Sequence, residues 1–209
     1  MFEIFKSGGP VMYPLLICSF LVLFVVIERM IFWVGIELQR DRKLLDEVLE
    51  LCRLGDWDGV RQKIKGSKDY VIRILVAGIV HRDYSMGKAM ESAATDELKR
   101  MQRYMGILDT MITVAPLLGI FGTVIGIINS FDMLGTEGIE NPRAVTAGVA
   151  QALITTATGL GIAIFSVFPF NYFNSRMEKA AHTIEKYSTS LEIVFEKLRE
   201  KNERSLEEE

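Results

Sequence analysis

The chain has 209 residues, 49% of them hydrophobic and 24% charged, and its mean hydropathy of +0.23 is too apolar for an ordinary soluble domain of this size. Five prolines and no low-complexity tract exclude collagenous and disordered classes. A formal net charge of -3 gives a nucleic-acid partner no electrostatic footprint. The composition is that of a membrane protein. Cys18 lies in an apolar run and Cys52 in a charged segment, a placement that suggests neither a disulfide framework nor a metal cluster.

Three stretches lack charge for long enough to cross roughly 30 Å of hydrocarbon, which takes about 20 helical residues. The first runs from Val11 to Ile27, is interrupted by Glu28-Arg29, and resumes from Met30 to Ile36. We read it as one tilted helix, with Pro10 and Pro14 at its start, where a missing N–H costs little, and Tyr13 and Trp33 at the two interfaces. A cleaved signal peptide would need a small-residue site where Glu28-Arg29 stands, so the span is read as retained. The second stretch is Thr110 to Phe131, between Asp109 and Asp132, and the third is Ala144 to Ser175. The third is longer than a perpendicular crossing needs and is expected to tilt or protrude. Turn residues from Asp132 to Arg143 predict the tip of a helical hairpin.

Lys and Arg near membrane ends set orientation. Arg40, Arg42, Lys43, Lys99, Arg100 and Arg103 flank the long intervening segment, and Arg176 and Lys179 follow the third span, whereas the hairpin tip offers only Arg143 and the amino-terminal tail only Lys6. The intervening segment and the carboxyl tail are therefore expected in the cytoplasm, with the amino terminus and hairpin tip outside.

The soluble parts read as amphipathic helices. Leu44, Leu45, Val48, Leu49 and Cys52 recur at helical spacing before Gly55-Asp56 breaks the pattern. A short helix bearing Trp57, Val60 and Ile64 ends at Gly66-Ser67, and another is predicted from Tyr70 to His81. From Ser85, the residues Met86, Met90, Ala93, Ala94, Met101, Met105 and Leu108 keep a 3.6-residue period into the second span, which predicts one continuous helix. Met177, Ala180, Ala181, Ile184, Tyr187, Leu191, Val194 and Leu198 form a second stripe that extends the third span, with fraying expected from Glu196 onward. The predicted fold is an all-α membrane protein of three transmembrane helices, the second and third extended into a helical cytoplasmic domain. The expected divisions are 1–36, 37–109, 110–175 and 176–209.

In hydrocarbon, small residues permit close helix contact and hydroxyls or amides seek partners. The second span carries Gly119, Gly122, Thr123, Gly126, Asn129 and Ser130, and the third carries Thr146, Gly148, Gln151, Thr155, Thr156, Thr158, Gly159, Gly161 and Ser166. Packing alone explains such residues as well as a lined pathway does. Their concentration on two spans of three favours the pathway, with the first span, through Leu15, Leu16, Phe20, Leu21, Leu23, Phe24, Val25 and Val26, facing lipid. Pro116 is expected to bend the second helix, for structure or for gating. No Asp, Glu, Lys, Arg or His lies within the second or third span, so a proton path here needs a carboxylate from another protein. Glu28, beside Arg29, reads as a paired or snorkelling charge rather than a relay. His81 and His182 lack metal-ligand spacing, no Ser/Lys or paired-Asp arrangement occurs in the spans, and no phosphate-binding loop is present. Neither an enzyme, a cofactor nor a metal site is expected.

Ala115-Pro-Leu-Leu-Gly-Ile-Phe-Gly-Thr-Val-Ile-Gly-Ile-Ile-Asn-Ser-Phe131 and Gly148-Val-Ala-Gln-Ala-Leu-Ile-Thr-Thr-Ala-Thr-Gly-Leu-Gly-Ile-Ala-Ile164 resemble the signature segments of the MotA/TolQ/ExbB proton channel family, nearest its ExbB and TolQ branches. The Glu28-Arg29 ending of the first span and the Gly55-Asp56 break agree. The resemblance implies a homopentameric ring in a bacterial inner membrane around two copies of a single-span ExbD/TolR-type partner that carries a membrane aspartate. Ion passage would then drive that partner, and through a TonB-like protein or other machinery energise outer-membrane transport or envelope processes. By motif position Thr123 and Thr156 match pore-lining threonines and Asn129 a polar position. Thr155 and Gln151 join them on the expected ion path. Many ExbB and TolQ proteins carry a glutamate where this chain has Gln151. A sodium-driven or gliding-motility relative, and a non-conducting membrane scaffold, are the competing readings.

Overall fold

The computed structural model of the chain describes residues 8–82, 84–137 and 142–207. All regular structure among them is helical: α1 Met12–Leu38, α2 Arg42–Leu54, α3 Trp57–Ile64, α4 Tyr70–Val80, α5 Met86–Gln102, α6 Met105–Glu137 and α7 Pro142–Glu207. Three helical stretches are long and apolar enough to cross a membrane, and they fall in α1, α6 and α7. At 1.5 Å per residue, the 33 residues of α6 and 66 of α7 extend to about 50 and about 100 Å, well beyond a hydrocarbon core of about 30 Å. This is an all-α membrane protein with long helices continuing out of its spans. Of the predicted hairpin tip, residues 138–141 lie outside the described residues.

The chain divides into two compact units, one of Met1–Arg29 with Tyr104–Asn174, the other of Met30–Arg103 with Ser175–Glu209. In the first, Val11, Met12 and Leu15 form a buried cluster against Leu118 and Ile125 of α6 and Ile154 and Ile162 of α7. Here the expected lipid-facing surface of α1 needs correction. Leu16, Phe20, Leu21, Leu23 and Phe24 are exposed, but Leu15 and Val25 are fully buried, in a stripe with Cys18, Val22 and Arg29. The physical reason is that a helix apolar on every side shows no hydrophobic period, so hydropathy cannot say which face packs against protein and which meets lipid. The 3–4 spacing of 15, 18, 22, 25 and 29 is the packing face.

The second unit is assembled by helix caps. Asp41 accepts from the Leu44 N–H at 3.0 Å to start α2. Gly55, at φ 73°, ends it, and its left-handed turn lets the Gly55 and Asp56 N–H groups reach the Cys52 and Leu51 carbonyls. Asp56 then accepts from Gly59 at 2.9 Å and starts α3. One Gly-Asp pair therefore closes one helix and opens the next. Asp69 is almost fully buried. Its carboxylate accepts from Val71 at 2.8 Å, capping α4, and from the Asp41 backbone at 3.0 Å, tying α4 to the start of α2. Leu45, Val48, Cys52, Ile72, Ile74, Leu75, Met90 and Leu191 fill the core of this unit.

The helix predicted to run unbroken from Ser85 into the second span is two helices. Arg103 and Tyr104 separate α5 from α6, and Tyr104 stands at φ 65°, a left-handed conformation that ends a helix. The hydrophobic period crosses the break because only two residues interrupt it. No glycine marks the turn, so the sequence pattern does not reveal it. The expected fraying from Glu196 is likewise absent: α7 stays helical to Glu207, with Arg199 and Glu203 paired one turn apart at 2.8 Å.

Removing the Asp69 carboxylate leaves two N–H groups without their acceptor. Asp69→Ala should destabilise the second unit by about 1–3 kcal/mol, read as a lowered midpoint of thermal unfolding, while Asp69→Asn, which keeps an acceptor oxygen, should lose less. Cys52 gives a pH signature. Burial pushes its thiol up from 9.0 to about 11. Between those values the unfolded chain has released a proton that the folded chain retains, so stability falls as pH rises through that window. Burial also raises the Tyr70 phenol, so the comparison is with Cys52→Ala, whose unfolding midpoint should decline less steeply above pH 9.

Candidate functional site

Ser130 of the second span and Thr155 and Thr156 of the third lie where α6 and α7 run against each other in the first unit. Their contact is made by small residues at matching intervals: Ala115, Gly119, Gly122 and Gly126 on α6, and Gly148, Ala152, Thr155 and Gly159 on α7. A side-chain carbon added at Gly126 would lie 2.9 Å from the Gly148 carbonyl. One at Gly122 would overlap Thr155. One at Gly119 would lie 3.0 Å from both the Thr155 carbonyl and the Thr156 Cα, and one at Gly159 would collide with the Ala115 carbonyl. The backbones come close at three levels, and at Gly122 the Thr155 side chain fills the space instead; each position needs a residue without bulk.

Six span hydroxyls, those of Thr123, Ser130, Thr155, Thr156, Thr158 and Ser166, each donate to a main-chain carbonyl. Thr155, 1% exposed, donates to Ala152 at 2.8 Å and lies 3.4 Å from the Gly119 carbonyl. Thr156 donates to that same Gly119 carbonyl at 3.0 Å, across the helix pair. Thr123 donates to Ile120 at 2.5 Å, Ser130 to Gly126 at 2.8 Å, Thr158 to Ile154 at 2.8 Å and Ser166 to Ile162 at 2.7 Å. A hydroxyl so committed still offers oxygen lone pairs. It can solvate a cation or accept from a protonated carboxyl, and cannot titrate near neutral pH.

Thr155 and Thr156 are thus brought together on Gly119. Thr123 is half-buried one turn further along α6, and Asn129 is exposed on the same helix. Gln151 is held elsewhere: its amide lies against Gly9, just ahead of α1, where φ is 70° and an added side-chain carbon would strike the amide. Pro116 lies inside α6, and Pro169 occupies the interior of α7, a second interrupted hydrogen-bond ladder that the sequence reading passed over. Also missed was the burial of Arg29, 1% exposed. It donates from Nε and Nη2 to the Glu28 carboxylate at 2.5 and 2.7 Å, and its guanidinium lies 5.7 Å from the Tyr104 ring centroid. Because α1 is apolar on every side, the sequence carried no signal that position 29 falls on its packing face.

Comparison with known proteins agrees with this architecture. Residues 67–186 match the model of the MotA/TolQ/ExbB proton channel family. Over 205 residues the chain is 32% identical to the ExbB-like 3 protein of Synechocystis sp., covering 94% of this chain and 96% of that one. It is 34% identical over 201 residues to ExbB-like 1 of the same organism, covering 91% and 77%. Its similarity to the Tol-Pal system protein TolQ of Pseudomonas aeruginosa is 39% identity over 93 residues, covering 44% and 40%. The chain belongs to the MotA/TolQ/ExbB proton channel family, and it is of the ExbB/TolQ type.

The packing makes a contrast between two glycines of α7. Gly159→Ala drives a methyl into the Ala115 carbonyl and should destabilise the helix pair by about 1–3 kcal/mol. Gly161, whose added carbon would meet nothing within 4 Å, should tolerate Ala within about 0.5 kcal/mol. Thermal unfolding of the two purified variants in detergent compares them.

Proposed function

We propose that the chain is the channel and stator subunit of a proton-driven membrane motor, in which α6 and α7 line the ion path and a separate single-span protein of the ExbD/TolR type supplies the titrating carboxylate. The observation that carries this reading is a pair of membrane helices dense in hydroxyls and small residues, with no ionisable side chain between Thr110 and Phe131 or between Ala144 and Ser175. Such helices can solvate a proton carrier and cannot be one. Thr123, Thr155, Thr156 and Asn129 would present acceptors along the path. Gln151 would hold the outer end of α7 against the turn before α1.

The family supports a ring of five copies around two partner chains in a bacterial inner membrane, driving a TonB-like protein or envelope machinery. The basic residues Arg40, Arg42, Lys43, Lys99, Arg100, Arg103, Arg176 and Lys179 support an amino terminus outside and a carboxyl terminus in the cytoplasm. The expected divisions at 36, 109 and 175 are retained as functional segments: first span, cytoplasmic domain, channel hairpin and cytoplasmic tail. One observation favours a second reading, a non-conducting scaffold: the Thr156 hydroxyl is spent on Gly119 within the same chain, which packing alone would require.

Proton flux into vesicles holding the protein with its single-span partner separates the two. Thr156→Val should lower flux by about tenfold or more, the effect of losing one polar interaction in the path, while native mass spectrometry shows unchanged assembly. Thr156→Ser should restore it. Undiminished flux in the Val variant would defeat the pore-lining assignment, and no flux in the wild type with its partner would leave the scaffold. Replacing the proton gradient with a sodium gradient identifies the ion.

A further inference from the structure

Among the described residues, buried side-chain N–H groups without an acceptor occur at Trp33 Nε1, Arg40 Nε and Arg176 Nε. All three side chains line one cavity of about 610 Å3 in the second unit. Buried donors are ordinarily satisfied, so each such group calls for an explanation, and three around one cavity call for one explanation. Each guanidinium is already fixed at one end. Arg176 Nη2 donates to Glu37 at 2.5 Å, and Arg40 Nη2 donates to the Thr183 hydroxyl at 3.3 Å. The Arg176 guanidinium also lies 5.6 Å from the Trp33 ring centroid. These contacts fix the two guanidinium groups and place one of them over the indole ring, while the Trp33 Nε1, Arg40 Nε and Arg176 Nε donors still lack an acceptor.

The charge on the wall selects the acceptor. Arg40, Arg42, Arg176 and Lys179 line the cavity against Glu37 and Glu178, an excess of positive charge, and guanidinium groups match phosphate oxygens in geometry as well as sign. The position selects the source. Trp33 and Ile36, on the same wall, belong to the last turns of the apolar helix α1, where an aromatic residue followed by cations marks the edge of the membrane. Anionic headgroups gather at such an edge. We infer that this cavity binds the phosphate group of an anionic phospholipid, with Trp33, Arg40 and Arg176 as its donors.

The test uses the full chain in its native oligomer, with Trp57→Phe so that Trp33 alone reports by fluorescence. Delipidated protein in detergent is titrated with mixed micelles of phosphatidylcholine alone, mixed micelles containing phosphatidylglycerol, and inorganic phosphate. The phosphatidylglycerol micelles should shift Trp33 emission saturably, and phosphatidylcholine and inorganic phosphate should not. Arg40→Gln with Arg176→Gln should weaken the apparent affinity about tenfold or more, and native mass spectrometry should show the lipid lost from the variant as purified. Arg176→Lys keeps the charge without the planar fork and should fall between. It also serves if the double variant does not assemble. Saturation by inorganic phosphate at micromolar concentration would overturn the lipid as the occupant. Equal lipid retention in wild type and variants with no Trp33 response would overturn the inference. So would a map of the oligomer showing an acidic side chain of a second copy in the cavity.

Discussion

Close contact between α6 and α7 is the constraint from which the membrane unit follows. Lipid tails are as apolar as leucine, so two helices gain little from hiding apolar surface in each other and associate through tight packing and polar contact. The Gly126–Gly148, Gly122–Thr155, Gly119–Thr156 and Gly159–Ala115 approaches supply the packing. The Thr156 bond to the Gly119 carbonyl supplies a polar contact between them. Small residues and hydroxyls are needed together here. Glycine lets the backbone come near, and the neighbouring threonine then reaches a carbonyl that a larger residue would hold off.

That arrangement restricts the chemistry. Hydroxyls bonded to carbonyls provide lone pairs without charge, and the span sequences provide no acid or base. A proton cannot be stored on such a surface, although it can be stabilised while another group carries it. The charges at the end of the first apolar run satisfy each other: Glu28 and Arg29 form a two-pronged pair, and the Arg29 guanidinium faces the aromatic ring of Tyr104. The two span sequences thus offer hydrogen-bond acceptors and no titrating group of their own.

How much of this was readable in the sequence depended on whether water was the reference. In the second unit, Gly55-Asp56 announced a helix end and a helix start because those residues have distinct backbone roles, and the apolar period of Leu45, Val48 and Cys52 located the core. In the first unit, all-round apolarity hid which side of α1 packs, so Leu15 and Val25 were placed in lipid while they lie buried. Tyr104 broke a helix without glycine or proline to signal it. The second bond of the Asp69 carboxylate comes from the Asp41 backbone, 28 residues away, and a contact of that range leaves no local pattern. The spacing of small residues on α6 and α7 was visible, but their pairing across the two helices required the fold.

Gln151 shows how packing and chemistry can separate at one position. Thr155 stands four residues further on, about 6 Å of helix rise, and the Gln151 amide lies against the backbone of Gly9, whose positive φ and missing side chain make room for it. An amide donates and accepts and brings no charge that hydrocarbon would have to accommodate. A carboxylate in this place would have to be paired or protonated to lie there. The neutral side chain therefore suits contact with the turn before α1, while the hydroxyls further along α7, at Thr155 and Thr156, turn to the carbonyls of their own and the neighbouring helix.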